Sequence, residues 1–86
     1  MSVTLQINTP EKAGRKYQAD KVVMPVEAGN LTIISSRAPS SQILTQGVVT
    51  LLNENNEPFK KWRIGDGMVE IAEDVCQIAT EYVEEI

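Results

Sequence analysis

Ile71-Ala72-Glu73-Asp74-Val75-Cys76-Gln77-Ile78-Ala79-Thr80-Glu81-Tyr82-Val83-Glu84-Glu85-Ile86 supports two opposed readings, and the choice between them decides the fold. Read as a helix, Ile71, Val75, Ile78, Tyr82 and Ile86 recur at helical spacing, with Ala79 and Val83 beside them. Read as a strand, Cys76, Ile78 and Tyr82 share a face with Thr80. The pattern alone favours the helix, which would make the chain a helix-tailed, self-associating module. A strand would make it a domain built of strands throughout.

The preceding residues speak for strands. Phe59 to Ile64 alternates, with Trp62 and Ile64 on one face and Lys61 and Arg63 on the other. Gly65-Asp66-Gly67 turns the chain into Met68 to Ile71, and a hairpin is expected there. Val48 to Asn53 forms a strand ended by the polar turn Glu54 to Pro58. Val3, Leu5 and Ile7 fall on one face at the start of the chain. Two short strands, Lys16 to Asp20 and Lys21 to Val26, follow the punctuation of Thr9 to Gly14. Pro25 lacks an N–H, so its end of the strand belongs at an edge or bulge. Glu27-Ala28-Gly29-Asn30 turns the chain, with Gly29 and Asn30 free to take positive φ. Leu31 to Ile34 is β-prone, Ser35 to Gln42 is a conspicuous polar loop, and Ile43 to Thr45 resumes the strand pattern. Short strands with such frequent turns indicate a sandwich or barrel.

The residue inventory excludes most chemistry. A chain of 86 residues makes one domain. It contains no histidine, which removes Ser-His-Asp and Cys-His nucleophiles. A single cysteine, Cys76, forms no internal disulfide and supplies no ordinary zinc site. No metal or cofactor is expected. The acids Glu70, Glu73 and Asp74 lack the spacing of a calcium loop and are expected to be solvated, as are Glu81, Glu84 and Glu85. Gly65-Asp66-Gly67 lies between strands, so it does not cradle a phosphate at a helix N-terminus. The serines of the polar loop have only lysine as a possible base, and a contact surface is the better reading of that loop. The net charge of −4, with basic residues in two loose groups, argues against nucleic acid and anionic membranes as partners. No apolar run reaches the ~20 residues of a spanning helix, and the start lacks the features of a secretion signal. An intracellular chain, or a mature one already processed, is expected.

Two motifs add a family resemblance. Gly29-Asn30-Leu31-Thr32-Ile33-Ile34-Ser35-Ser36-Arg37-Ala38-Pro39-Ser40 resembles a signature of ATP synthase epsilon subunits, in which a glycine-acid-leucine-glycine turn leads to a Gly-His-Ala-Pro loop. Gly29, Leu31, Ala38 and Pro39 match directly, and Ser36-Arg37 replaces the Gly-His pair. Asp66-Gly67-Met68-Val69-Glu70-Ile71 resembles a second family motif of two glycines, two apolar residues, glutamate and valine. The resemblance covers nearly the whole chain but only the family's N-terminal domain.

It implies an all-β fold, a flattened β-sandwich of about ten short strands over residues 1–80 with a tail over 81–86. It also overrides the helical pattern, making Val75 to Thr80 the final strand. The implied role is a non-catalytic central-stalk subunit of a proton-transporting ATP synthase, docked on the gamma subunit and the ring of c subunits. Such a subunit sits peripherally at the cytoplasmic face of the energy-coupling membrane and helps couple rotation to ATP synthesis. The ring-facing turn falls on Gly29, Asn30 and Leu31, and the stalk-facing loop on Arg37, Ala38, Pro39 and Ser40. The family's C-terminal helical hairpin has no counterpart in this sequence, so its inhibitory and ATP-binding roles do not carry over. The alternative is a free-standing β-sandwich that binds a small ligand or peptide.

Overall fold

The computed structural model describes residues 2–34 and 39–86. Ten strands are present: β1 (Val3–Asn8), β2 (Lys16–Ala19), β3 (Lys21–Val26), β4 (Gly29–Ile33), β5 (Ser40–Leu44), β6 (Gly47–Leu52), β7 (Pro58–Ile64), β8 (Gly67–Ala72), β9 (Val75–Thr80) and β10 (Val83–Glu85). They form one hydrogen-bonded sheet in the order β10-β7-β6-β3-β5-β8-β9-β1-β2, with β4 on the other side of β3. The sheet curls over to bring two layers face to face. The expected all-β sandwich of about ten strands is thus present, built from a single continuous sheet.

Alternation along the strands makes the core. Val3, Leu5 and Ile7 of β1, Val49 and Leu51 of β6, Trp62 and Ile64 of β7, Val69 and Ile71 of β8, and Cys76 and Ile78 of β9 are all buried in one cluster. Their neighbours in sequence point outward, as a period of two requires. Lys61 and Arg63 are exposed, as the alternation of β7 predicts.

The helical pattern over residues 71–86 gives way to two strands. Glu73 and Asp74 both adopt positive φ (49° and 64°), which stops any helix and folds β9 back on β8. β9 is then held on both sides, antiparallel to β8 and parallel to β1. Tyr82 is exposed rather than sharing the buried face of Cys76 and Ile78, because the chain bends at Glu81. Residues 81–86, expected as a tail, carry β10, which pairs antiparallel with β7.

Pro25 is buried at the point where β3 changes partner. Residues 21–23 pair with β6, while Val26 pairs with Leu44 of β5. The Pro25 carbonyl accepts a bond from the Thr45 N–H (3.2 Å), so its polar side faces this junction. The missing proline N–H points the same way, away from β4, so the β3–β4 ladder loses no bond to it. The interruption expected at Pro25 is therefore a layer crossing.

Gly65-Asp66-Gly67 is likewise not a hairpin turn. β7 and β8 lie in different layers and do not pair with each other. Local turn chemistry marks the bend without specifying which strand comes alongside next. Asp66 Oδ1 accepts the Gln46 N–H (3.0 Å), joining this crossing to the β5–β6 crossing. The buried Thr80 hydroxyl lies 3.0 Å from both the Gly65 and Asp66 carbonyl oxygens and donates its one proton between them.

Candidate docking surface

The β3–β4 hairpin presents the first group of expected contact residues. Val26 pairs with Gly29 across the turn residues Glu27 and Ala28, and Gly29 has φ of 126°. That conformation is open to glycine and strained for other residues. Asn30 takes ordinary strand geometry opposite Pro25. Gly29 and Asn30 are exposed, whereas Leu31 is half-buried and packs against the core. Leu31 therefore anchors the hairpin that displays the other two.

The second group is divided. Arg37 and Ala38 lie outside the described residues. Pro39 is exposed just before β5. Ser40 belongs to β5 itself, opposite Ile71, and its hydroxyl is buried without a hydrogen-bond partner among the described residues. The polar loop expected over residues 35–42 is thus shorter at its end. Ser41 and Gln42 pair with Glu70 and Val69, and that ladder outweighs their polar composition.

Beside the hairpin lies a surface that the sequence reading did not single out. Ile43 of β5 stands opposite Met68 of β8, and both are exposed, at 58% and 49%. Met68 in turn stands opposite Ala79 of β9, also exposed. The three form an outward apolar stripe across three strands. Exposed apolar groups in a contiguous row mark interaction surfaces more than scattered ones do. A shallow depression lined by Val26, Glu27, Ala28, Ser41, Gln42 and Ile43 joins the stripe to the hairpin turn. The sequence did hold a signal. Ile43-Leu44 and Met68-Val69 are adjacent apolar pairs, and a strand can bury only one of each pair on a given face.

A different cluster lies where the two ends of the curled sheet meet. The Tyr17 ring of β2 packs on the Trp62 ring of β7 at 4.9 Å between centroids. Lys60 Nζ stands over both rings, at 5.2 and 5.8 Å, and forms an ion pair with Glu85 of β10 at 2.9 Å. The hydrogen bond to Glu85 raises the Lys60 ammonium above its ordinary range. On β10's other side, the Tyr82 hydroxyl donates to Glu84 (2.8 Å), and this bond raises the phenol. Among the described residues, no three acids or cysteines gather where they could hold a metal.

Residues 2–86 match the family described as the ATP synthase delta/epsilon chain, beta-sandwich domain. The chain belongs to this family. The chain is 28% identical over 78 residues to the ATP synthase epsilon chain of Nostoc sp., covering 91% of this chain and 57% of that one. It is 30% identical over 89 residues to the cyanelle ATP synthase epsilon chain of Cyanophora paradoxa, covering all of this chain and 66% of that one. It thus spans little more than half to about two thirds of these relatives. Its fold is similar to a chain in the Euglena gracilis mitochondrial ATP synthase structure of OSCP, F1 and c-ring, with a TM-score of 0.83 at 13% identity. That match covers 98% of this chain and 53% of the other. A chain in the Tetrahymena thermophila mitochondrial ATP synthase structure of central stalk and c-ring gives a TM-score of 0.72 at 15% identity, over 98% and 66%. The structural likenesses show a shared fold, and the family assignment rests on sequence.

Proposed function

We propose that this delta/epsilon chain is a non-catalytic central-stalk subunit of a rotary proton-transporting ATP synthase, docking on the gamma subunit and the c ring and coupling rotation to ATP synthesis. The observation that carries this reading is the family match through residues 2–86, the whole of the sandwich. The exposed Ile43–Met68–Ala79 stripe beside the hairpin supports it, because a docking subunit needs an apolar surface on a rigid frame. In this reading Gly29, Asn30 and Leu31 form the ring-facing turn, and Arg37, Ala38, Pro39 and Ser40 belong to the stalk-facing side. The chain sits peripherally at the cytoplasmic face of the energy-coupling membrane, through the complex alone. Catalysis takes place on other subunits.

Affinity purification of the tagged chain from its own cells tests the reading, with co-eluting proteins identified by mass. Recovery of gamma, alpha, beta and c subunits is the expected result. A chain recovered alone, from a preparation in which the synthase is intact, overturns it and leaves a free-standing binding module.

A further inference from the structure

The two ends of the curled sheet, β2 and β10, line one groove of about 240 Å³. Tyr17, Trp62 and Val83 give it an apolar floor, and Lys12 and Arg15 of the β1–β2 connection stand along it. Among the described residues, neither basic side chain has an ion-pair or hydrogen-bond partner. The ladder fixes which backbone groups of β10 face the groove. The Ile86 N–H bonds to the Lys61 carbonyl, and the Gly65 N–H to the Tyr82 carbonyl. Antiparallel pairing alternates, so Glu84 faces β7 while the N–H and C=O of Val83 and Glu85 point away from it, along the open edge. Unpaired strand edges are templates for another strand.

We propose that the open edge of β10 is a strand-addition site for an extended acidic peptide. The peptide backbone pairs with Val83 and Glu85, and its carboxylates meet Lys12 and Arg15. Charge selects this occupant. Glu84 and Glu85 of β10 are each held by a cation, Arg63 and Lys60, so the charges left to meet an incoming strand are those of Lys12 and Arg15. A peptide bearing lysines would face the two unpartnered cations. The proposal is independent of any stalk contact, which lies with the β5–β8–β9 face and the β3–β4 hairpin.

The test titrates the 86-residue chain with a capped six-residue peptide of alternating valine and glutamate. Binding is followed by amide exchange and by the fluorescence of Trp62, the only tryptophan. The expected result is saturable binding with a Kd of about 0.1–1 mM and slowed exchange at the Val83 and Glu85 amides. A valine–lysine peptide, or the same peptide with alternate backbone nitrogens methylated, binds at least about tenfold more weakly. Lys12→Glu with Arg15→Glu weakens binding to a similar degree. Val83→Pro removes an outward N–H without touching the β7 ladder, so it abolishes binding while the melting temperature holds within a few degrees. The proposal is overturned by no saturable change up to about 10 mM, by equal binding of the methylated peptide, or by protection at the β2 or β4 edge instead. Protection at β10 that rises with protein concentration in the absence of peptide places a second copy there and also overturns it.

Discussion

Ile43 and Met68 face each other across the β5–β8 ladder with both side chains in solvent. An exposed cross-strand pair of this kind adds little to the core, so it can be altered without unfolding the domain. Ile43→Asp and Met68→Asp are expected to leave the melting temperature within a few degrees of wild type. Each is expected to weaken binding to the gamma subunit at least about tenfold by calorimetry. Unchanged affinity in both variants would remove the stripe from the docking surface.

Arg37→Ala is expected to weaken gamma binding without unfolding the domain. Arginine's planar fork makes several hydrogen bonds at once, and Pro39 restrains the backbone near it. Calorimetry with wild-type affinity would take Arg37 out of the site.

Gly67 allows β8 to begin against β9. A Cβ at this position would run into the Ala79 carbonyl and stand 2.9 Å from the Thr80 Cα, both of them backbone. Gly67→Ala is therefore expected to cost about 1–3 kcal/mol, seen as a lower urea midpoint. A midpoint equal to wild type would mean that the Gly67–Thr80 end of the β8–β9 ladder shifts freely.

Thr80→Val keeps the shape of a buried side chain but removes the proton shared by the Gly65 and Asp66 carbonyls. About 1–3 kcal/mol of stability should be lost, because those carbonyls lose a partner at a layer crossing. Urea unfolding of the variant measures it, and an unchanged midpoint would show that water replaces the hydroxyl at no cost.

The alkaline limb of stability has a definite sign. Lys60 and Tyr82 are both raised above their ordinary values of 10.5 and 10.0, each first by its hydrogen bond to a β10 glutamate. A group raised in the folded state stabilises fully below its unfolded pKa and loses that contribution as pH rises through the folded one. Stability should therefore fall as pH rises above about 10, more steeply in wild type than in Glu85→Gln or Glu84→Gln. Equal slopes in urea midpoint against pH would show that neither pair is kept in solution.

The strands legible in the sequence were those whose alternation is complete within one segment, such as Trp62 and Ile64 against Lys61 and Arg63. Residues 71–86 misled because helical spacing among Ile71, Val75 and Ile78 arises from two strands separated by a tight turn at Glu73 and Asp74. What settles that segment is pairing with β1, more than 60 residues away in sequence, and no local pattern carries it. Gly65-Asp66 was legible as a bend but not as a crossing, for the same reason. Within the candidate site, the hairpin at Gly29 followed from turn chemistry. The Ile43–Met68 stripe needed the register of β5 on β8, which brings together two residues that each look ordinary alone.

The parallel pairing of β1 with β9 also sets the order in which the chain can fold. β1 precedes the other nine strands, yet its neighbour on one side is synthesised about 70 residues later. Until then β1 has only β2 beside it in the sheet, and a lone pair of strands is marginal in water. Native closure must wait for nearly the whole sandwich, and a contact so distant in sequence makes for slow folding. While this domain is being made, β1 therefore keeps one edge unpaired until β9 emerges, and that interval is when the domain is most open to capture by chaperones or to misassociation.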